Sequence, residues 1–312
     1  MKAVIKNFLN TSFRTIYDLY FREHSNVDIA LSQILEQMKE PHQIHFPSAY
    51  VEFLRDCIEK KAYKIREIKT TNTPDSNALF LKRFSTLLEI LPNNVPPIEF
   101  NTAKEIALIA DSYRVISKPY EQGVWAADVN THFSLSSSFG TKGRILNTVV
   151  RIMRSEKCLE LGTAYGMSAL FIIEALKSIG EATSHLTTVE GLELQFLLAS
   201  KMLNTRYGDQ VSCHLGFTED VLPELVKSLG KIDFMFHDAA HSKEAYIRDF
   251  NLVLPILAPG SVVLIDDIRW DAGRFSTTNT RCYEGWMEIV SHPRVLRAVE
   301  INNIVGLLLL GA

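Results

Sequence analysis

Short apolar runs alternate with amphipathic segments from residue 157 to the end of the chain. The runs are five to seven residues long and lie at 157–161, 185–190, 211–215, 232–238 and 261–267. Because the segments between them carry apolar residues at helical spacing, the pattern predicts parallel strands with helices on both faces of the sheet. Two final runs joined by Asn302-Asn303 predict an antiparallel hairpin. Together these elements predict a doubly wound α/β fold with a seven-stranded sheet.

The chain before residue 142 has a different pattern. Apolar residues recur at helical spacing over 25–40 and 48–68, and no glycine precedes Gly123, which favours helices over hairpins. We therefore expect a helical N-terminal extension over residues 1–100, with three roles open: a cap, a substrate lid or a dimerisation element. The sequence pattern over 101–141 predicts a connecting helix and a polar loop, which lead into the domain at 142–312.

Composition excludes several classes of protein. The chain has 312 residues, 46% of them hydrophobic and 22% charged, and its formal net charge is −3. These values are typical of a soluble globular protein and not of one that binds nucleic acid. The longest apolar run, VGLLLLGA, is too short to span a bilayer, and four scattered cysteines without a CxxC pair predict reduced thiols. We therefore expect a cytoplasmic protein with neither a nucleic-acid nor a membrane partner.

The stretch KCLELGTAYGMSAL (157–170) predicts a buried strand, a glycine turn and the start of a helix. Gly162 and Gly166 leave room for a ligand to approach the backbone. The spacing E-x-G-x-x-x-G is neither the dinucleotide-binding G-x-G-x-x-G nor a phosphate loop with its lysine. Glu190 ends the next strand, where an acid can accept hydrogen bonds from both ribose hydroxyls. A ligand with a ribose but no phosphate fits best, and S-adenosylmethionine is the candidate.

Polar residues stand at five successive strand ends of the predicted sheet. They are Gly162–Gly166, Glu190, Gly216–Glu219, Asp238–His241 and Asp266-Asp267. In an open parallel sheet, ligands bind beyond the carboxyl ends of the strands. A single acid at a strand end can be a helix cap, but five such ends in order predict a nucleoside-containing ligand and a reactive centre.

Five motifs in this region resemble those of a known family. LELGTAYGMSAL, TTVEG, GFTEDVLPEL, DFMFHDAAH and GSVVLIDDIRW are similar, in this order, to the motifs of class I S-adenosylmethionine-dependent methyltransferases of the catechol and caffeoyl-CoA O-methyltransferase type. The resemblance covers residues 135–312 and implies a Rossmann-like fold. It implies that the cofactor is bound by Glu160, Gly162, Thr163, Ala164, Gly166, Ser168, Glu190, Gly191, Thr218, Glu219, Asp238 and Ala239.

The resemblance implies a separate role for several members of this set. Ser168 would bind the methionine carboxylate, and Glu190 would hold the ribose hydroxyls. Thr218 and Glu219 stand where the family contacts the adenine, and Glu160 would support the glycine turn.

The resemblance also implies a divalent metal site at Asp238, Asp266 and Asp267, with Asp238 and His241 as catalytic residues. Carboxylate oxygens suit Mg²⁺, with Mn²⁺ and Ca²⁺ as alternatives, and neighbouring acids repel one another unless a cation or protons compensate. The family usually has an asparagine in place of Asp267 and a lysine in place of His241. His241 is therefore a candidate general base or metal ligand. The alternative is a metal-free site in which Asp267 caps a helix or pairs with Arg269.

These features predict O-methylation of a hydroxyl on a small molecule, with aromatic and carrier-bound acceptors both included. The helical extension and the resemblance are compatible with a homodimer. Two other functions stay open: a metal-independent N- or C-methyltransferase, and a non-catalytic scaffold that binds the cofactor. Trp270, Tyr283 and Trp286 either line an acceptor pocket or pack in the core.

Overall fold

The computed structural model describes residues 61–71, 78–98, 140–270 and 280–312. The predictions for most of the N-terminal extension, and for the connecting segment up to residue 139, lie outside these residues. Within the described ranges, no helix combines the length and the hydrophobicity that crossing a membrane requires.

The described residues form one mixed sheet of eight strands. The strands are β1 (Ile65–Thr70), β2 (Lys157–Leu161), β3 (His185–Glu190), β4 (Val211–Leu215), β5 (Ile232–His237), β6 (Leu257–Ile265), β7 (Val295–Ile301) and β8 (Val305–Leu310). Their order across the sheet is β1-β7-β8-β6-β5-β2-β3-β4. The strands from β2 to β6 pair in parallel with one another, whereas β8 is antiparallel to both β6 and β7. The seven predicted strands and the C-terminal hairpin are confirmed.

The eighth strand, β1, lies where the sequence pattern predicts a helix. The helix expected over 48–68 is wrong at its end, because Ile65–Thr70 pairs antiparallel with β7. Without β1, the strand β7 would expose a row of unpaired backbone groups at the edge of the sheet. The ion pair between Arg66 and Glu300, 2.8 Å between charged atoms, joins the same two strands. Long-range pairing therefore overrides the local helical pattern.

Helices cover both faces of the sheet. They are α1 (Leu79–Asn93), α2 (Gly140–Met153), α3 (Met167–Ile179), α4 (Glu193–Tyr207), α5 (Thr218–Ser228), α6 (Lys243–Val253) and α7 (Cys282–Val290). The helices α1 to α4 pack into one buried apolar cluster and α5 to α7 into the other. Strand side chains alternate between the two clusters, as Phe234 and Met235 of β5 do. Burial on both faces is the reason why the central strands, such as β6 and β8, carry long apolar runs in the sequence.

The parallel strands bring their carboxyl ends to one edge of the sheet. Asp238 follows β5 and its backbone N–H donates to the carbonyl of Leu161 at the end of β2, at 2.8 Å. Asp266 follows β6 and donates in the same way to His237 at the end of β5, at 2.9 Å. The residues after β6, β5 and β2 are therefore neighbours, and together they build the site.

Candidate active site

The glycine turn after β2 lies tightly against the neighbouring strand ends. Gly162 has a φ of +94°, and a Cβ atom at this position would lie 2.0 Å from the carbonyl oxygen of Asp238. Only glycine fits such a backbone conformation and such a contact. The N–H groups of Gly162 and Thr163 both donate to the carbonyl of Val189 on β3, at 2.9 and 3.1 Å. The turn is thereby fixed between the ends of β3 and β5.

Helix α3 begins directly after this turn. Gly166 precedes its first residue with a φ of +83°, and Ser168 lies buried in the first turn of the helix. The first N–H groups of a helix have no partner within the helix and favour negative charge. This end of α3 therefore suits an anionic group such as a carboxylate.

The Glu190 carboxylate connects the glycine turn to the end of β3. One oxygen accepts a hydrogen bond from the backbone N–H of Ala164 at 2.6 Å, and the other accepts one from Leu192 at 2.8 Å. Burial raises the pKa of Glu190, and these backbone hydrogen bonds oppose that rise. The side chain is held in one orientation, and a carboxylate can accept further hydrogen bonds, such as those from a ligand's hydroxyl groups.

Glu160 lies beneath the same turn and has no exposed surface. Its Oε2 accepts a hydrogen bond from the Thr188 hydroxyl at 2.6 Å. The pKa of Glu160 is raised to about 7, mainly by burial and further by the charges of Asp238 and Glu190. Hydrogen bonds from Ser168 and Thr188 oppose part of this rise. Glu160 is thus a buried hydrogen-bond acceptor that holds the strand below the turn.

Thr218 and Glu219 occupy the first turn of α5, beyond β4. Arg248 of α6 donates to the Thr218 hydroxyl at 2.8 Å and lies 3.1 Å from the Glu219 carboxylate. Gly191 faces the same region: a Cβ atom there would lie 2.6 Å from the Phe217 ring. The arginine is a residue that the motifs did not single out, and it fixes the two residues expected near the adenine.

Four predicted residues meet in a group that we call the strand-end cluster: Asp238, His241, Asp266 and Asp267. The His241 Nε2 lies 3.4 Å from Asp238 Oδ1 and 3.5 Å from Asp267 Oδ2. One potential ligand atom from each of Asp238, His241 and Asp267 lies within 4.8 Å of the others. The histidine, which the sequence left open as base or ligand, therefore stands inside the acidic group.

Asp266 is the fully buried member of the strand-end cluster, and Lys142 of α2 reaches it. The Lys142 ammonium donates to Asp266 Oδ2 and lies 3.7 Å from Asp267 Oδ1. The other oxygen of Asp266, Oδ1, has no hydrogen-bond donor among the described residues. Lys142 is 124 positions from Asp266 in the chain, so no local pattern in the sequence could indicate this contact.

Burial and neighbouring charges shift the pKa values of Asp238, His241 and Asp266. Burial, and then the nearby Asp238 charge, raise the pKa of Asp266 to about 7. The pKa of Asp238 is lowered against its burial, first by its contact with His241 and then by the Lys142 charge. Burial lowers the pKa of His241, but its contact with the Asp238 carboxylate, 3.4 Å away, outweighs the burial and raises that pKa. At neutral pH the cluster therefore keeps negative charge beside a cationic lysine.

The backbone and an aromatic ring fix the outer part of the cluster. Asp267 has a φ of +50°, and its carbonyl accepts a hydrogen bond from the N–H of Trp270 at 2.8 Å. The Trp270 ring stacks on the His241 ring with centroids 5.0 Å apart. Arg269 pairs with Glu300 at 3.0 Å, while Asp267 faces Lys142 and His241. The alternative pairing of Asp267 with Arg269 is not formed.

The other two candidate aromatic residues, Tyr283 and Trp286, contact the protein interior and not the strand-end cluster. Trp286 is fully buried in the core, and the Tyr283 hydroxyl donates to Glu300 at 3.0 Å. Behind the cluster, His237 is buried and bonds to Asp249 at 3.0 Å, and the Tyr246 hydroxyl donates to the Asp266 carbonyl at 2.7 Å. Of the three predicted aromatic residues, Trp270 is the one that reaches the strand-end cluster.

Comparison with known proteins agrees with this architecture. The methyltransferase domain family matches residues 159–268. A catechol O-methyltransferase from Niastella koreensis is 30% identical over 130 residues, which are 41% of this chain and 56% of that protein. A catechol O-methyltransferase from Sus scrofa is 30% identical over 132 residues, 41% of this chain and 68% of its own length. The chain thus spans about half of the first relative and two thirds of the second.

A solved structure has a weaker likeness. The O-methyltransferase from Bacillus cereus, determined in complex with SAH, superposes with a TM-score of 0.49 at 20% identity over 64% of this chain and 90% of that one. The identity to the pig enzyme over two thirds of its length is decisive: the chain belongs to the class I S-adenosylmethionine-dependent O-methyltransferase family that includes the catechol O-methyltransferases.

Proposed function

We propose that the protein transfers a methyl group from S-adenosylmethionine to a hydroxyl oxygen of a small molecule. The observation that carries this proposal is the meeting, at one sheet edge, of the glycine turn, Glu190 and the strand-end cluster. The glycine turn and Glu190 suit a nucleoside-containing cofactor. The strand-end cluster contains side chains that can accept the proton of the acceptor hydroxyl. We propose that this chemistry resides in the domain at 142–312, with residues 1–100 as a helical extension outside β1 and residues 101–141 as the connection.

The groups at the glycine turn suit S-adenosylmethionine in charge and hydrogen bonding. The start of α3 near Ser168 suits the methionine carboxylate, and Glu190, fixed beside the Gly162 turn, can accept from ribose hydroxyls. When bound, this cofactor supplies an electrophilic methyl group on a sulfonium. The proposed cofactor residues are Glu160, Gly162, Thr163, Ala164, Gly166, Ser168, Glu190, Gly191, Thr218, Glu219, Asp238 and Ala239.

The strand-end cluster also fits a divalent cation. Its donor set is rich in carboxylate oxygens, which hard cations prefer, and Asp266 Oδ1 is buried without a donor among the described residues. We propose that Asp238, Asp266 and Asp267 hold Mg²⁺, or Mn²⁺ or Ca²⁺, with His241 within ligand distance as a fourth candidate. When bound, the cation would lower the pKa of the acceptor hydroxyl.

The chain's own residues would position the acceptor and move its proton. His241 Nε2, when neutral, can accept the hydroxyl proton, and Asp238 and Asp267 on either side stabilise the imidazolium that results. Trp270 stacks on the imidazole and holds its plane, which keeps the base oriented toward the acceptor. The indole also provides an apolar surface beside the base, so an aromatic acceptor, free or carrier-bound, is compatible with the site.

A methyl-transfer assay tests this proposal. The protein is incubated with methyl-deuterated S-adenosylmethionine and a panel of catechols, other phenols, aliphatic alcohols and amines, with Mg²⁺ or with EDTA. We expect deuterated methyl ethers, located by NMR, and a loss of about 100-fold or more in rate for His241→Ala, because general acid–base catalysis contributes about 10²–10⁴-fold. Methylation of nitrogen or carbon acceptors alone, unaffected by EDTA, would favour the metal-independent alternative.

A further inference from the structure

Lys142 brings a positive charge into the strand-end cluster from a different part of the chain. It lies in the first turn of α2, and its ammonium bonds to Asp266 Oδ2 and faces Asp267 Oδ1 at 3.7 Å. The Asp266 side chain has no exposed surface, whereas that of Lys142 is 31% exposed. The lysine therefore reaches a buried carboxylate from the solvent side, with a flexible stem that can withdraw along the same path.

The cluster has more negative charge than Lys142 alone can balance. Three carboxylates face one ammonium and one imidazole, and each Asp267 oxygen points to a different one of these two groups. The Lys142 ammonium bonds to Asp266 and lies near Asp267, so it is the cation in direct contact with the most deeply buried acid of the group. Removing the ammonium would leave buried acids without a counter-charge, which is costly unless another cation replaces it.

A divalent cation in this cluster would need the oxygens that the ammonium already occupies. A cation bound to Asp266 and Asp267 would also lie within a few ångströms of the Lys142 charge, where two positive charges repel strongly in a poorly solvated site. Resting on the function proposed above, we propose that Lys142 is the internal counterion of the strand-end cluster and competes with the divalent cation for Asp266 and Asp267. The ammonium balances part of the acidic charge in the metal-free protein and sets a lower metal affinity than the acids alone would give.

Direct metal titration of two variants tests this competition. Mn²⁺ alone is titrated into wild type, Lys142→Met and Arg151→Met, and free Mn²⁺ is followed by electron paramagnetic resonance. Arg151 is the matched control because it is an exposed cation on the same helix. We expect Lys142→Met to bind Mn²⁺ at least tenfold more tightly than wild type, and Arg151→Met to bind as wild type does. Equal or weaker binding by Lys142→Met, or no binding by any variant, would overturn the inference.

A second measurement uses the wild-type protein and does not depend on how the variant folds. Acetylation of Lys142 is followed by mass spectrometry in EDTA and in saturating Mn²⁺, with exposed Lys177 as the control. We expect a severalfold faster reaction of Lys142 in Mn²⁺ and an unchanged rate at Lys177; an unchanged rate at Lys142 would refute the competition. S-adenosylmethionine titration of the same sample separates the two proposals, because a protein that exchanges Lys142 for Mn²⁺ but binds no cofactor would refute only the methyltransferase function.

Discussion

At the scale of single residues, the site depends on positions where the backbone has no freedom. Gly162 carries the clearest constraint, since its positive φ coincides with a 2.0 Å approach of the absent Cβ atom to a backbone carbonyl. The glycine was evident from the sequence, but the contact with the residue after β5 was not. The reason is that the contact joins two strand ends separated by more than 70 positions.

Gly162→Ala should therefore destabilise the protein. Backbone strain in the left-handed region costs about 1–2 kcal/mol, and the displacement of the β5 end adds to it, so we expect a loss of more than about 2 kcal/mol in the free energy of unfolding. Denaturant unfolding measures this loss. Gly180→Ala is the matched control, because Gly180 has a φ of +78° with nothing within 4 Å of its absent Cβ. Equal losses for the two variants would contradict the packing argument.

Glu160 should make stability depend on pH. Its pKa is about 7 in the folded protein against 4.5 ordinarily, so the folded state binds more protons between these values and the free energy of unfolding falls as pH rises from 4.5 to 7. The fall from this group is about 3 kcal/mol. Comparing the free energies of unfolding at pH 5 and pH 8, we expect Glu160→Gln to show a smaller difference than wild type by up to that amount.

Asp266 titrates near the same pH and remains in both proteins, so the difference between them isolates Glu160. A pH dependence that is the same with and without the Glu160 carboxyl would show that this group stays ionised in the folded protein.

At the scale of secondary-structure elements, the edge strand β1 is held to the sheet by more than its backbone. Glu300 of β7 is fully buried. Its carboxylate pairs with the guanidinium of Arg66 on β1 at 2.8 Å and with that of Arg269, in the segment after β6, at 3.0 Å. The Tyr283 hydroxyl donates to the same carboxylate at 3.0 Å. Three donors on one buried carboxylate connect the N-terminal part of the chain to the segment that follows the strand-end cluster.

Removing this carboxylate should loosen that connection. We expect Glu300→Ala to lower the free energy of unfolding by about 2–4 kcal/mol, because it leaves the partly buried Arg269 without its partner. Glu67→Ala is the control: Glu67 lies on β1 and pairs with Arg297, but it is 46% exposed, and an exposed pair contributes at most about 1 kcal/mol. Similar losses in thermal or denaturant unfolding would mean that the Glu300 contacts contribute little to docking β1.

At the scale of the whole molecule, the sequence predicts the helices and strands better than it predicts the contacts between elements that are far apart in the chain. The central strands β5, β6 and β8 were predictable because strands buried on both faces are apolar over most of their length, and Asn302-Asn303 indicates the hairpin. β1 was not predictable, since its partner β7 lies more than 220 positions away. The strand-end acids were predictable from parallel-sheet topology, whereas Lys142 and Arg248 reach the site through packing that no local pattern records.

Calorimetric titration with S-adenosylmethionine tests the central assignment most directly, with wild type, Glu190→Ala and Glu224→Ala as the samples. Glu190 holds the glycine turn and is the proposed ribose acceptor, while Glu224 is a 79% exposed control on α5. We predict micromolar binding by wild type and Glu224→Ala, and a loss of at least tenfold in affinity for Glu190→Ala, since a buried charged hydrogen-bond partner is worth about 1.5–3 kcal/mol. Absence of binding by wild type, or binding that Glu190→Ala leaves unchanged, would contradict the proposed cofactor site.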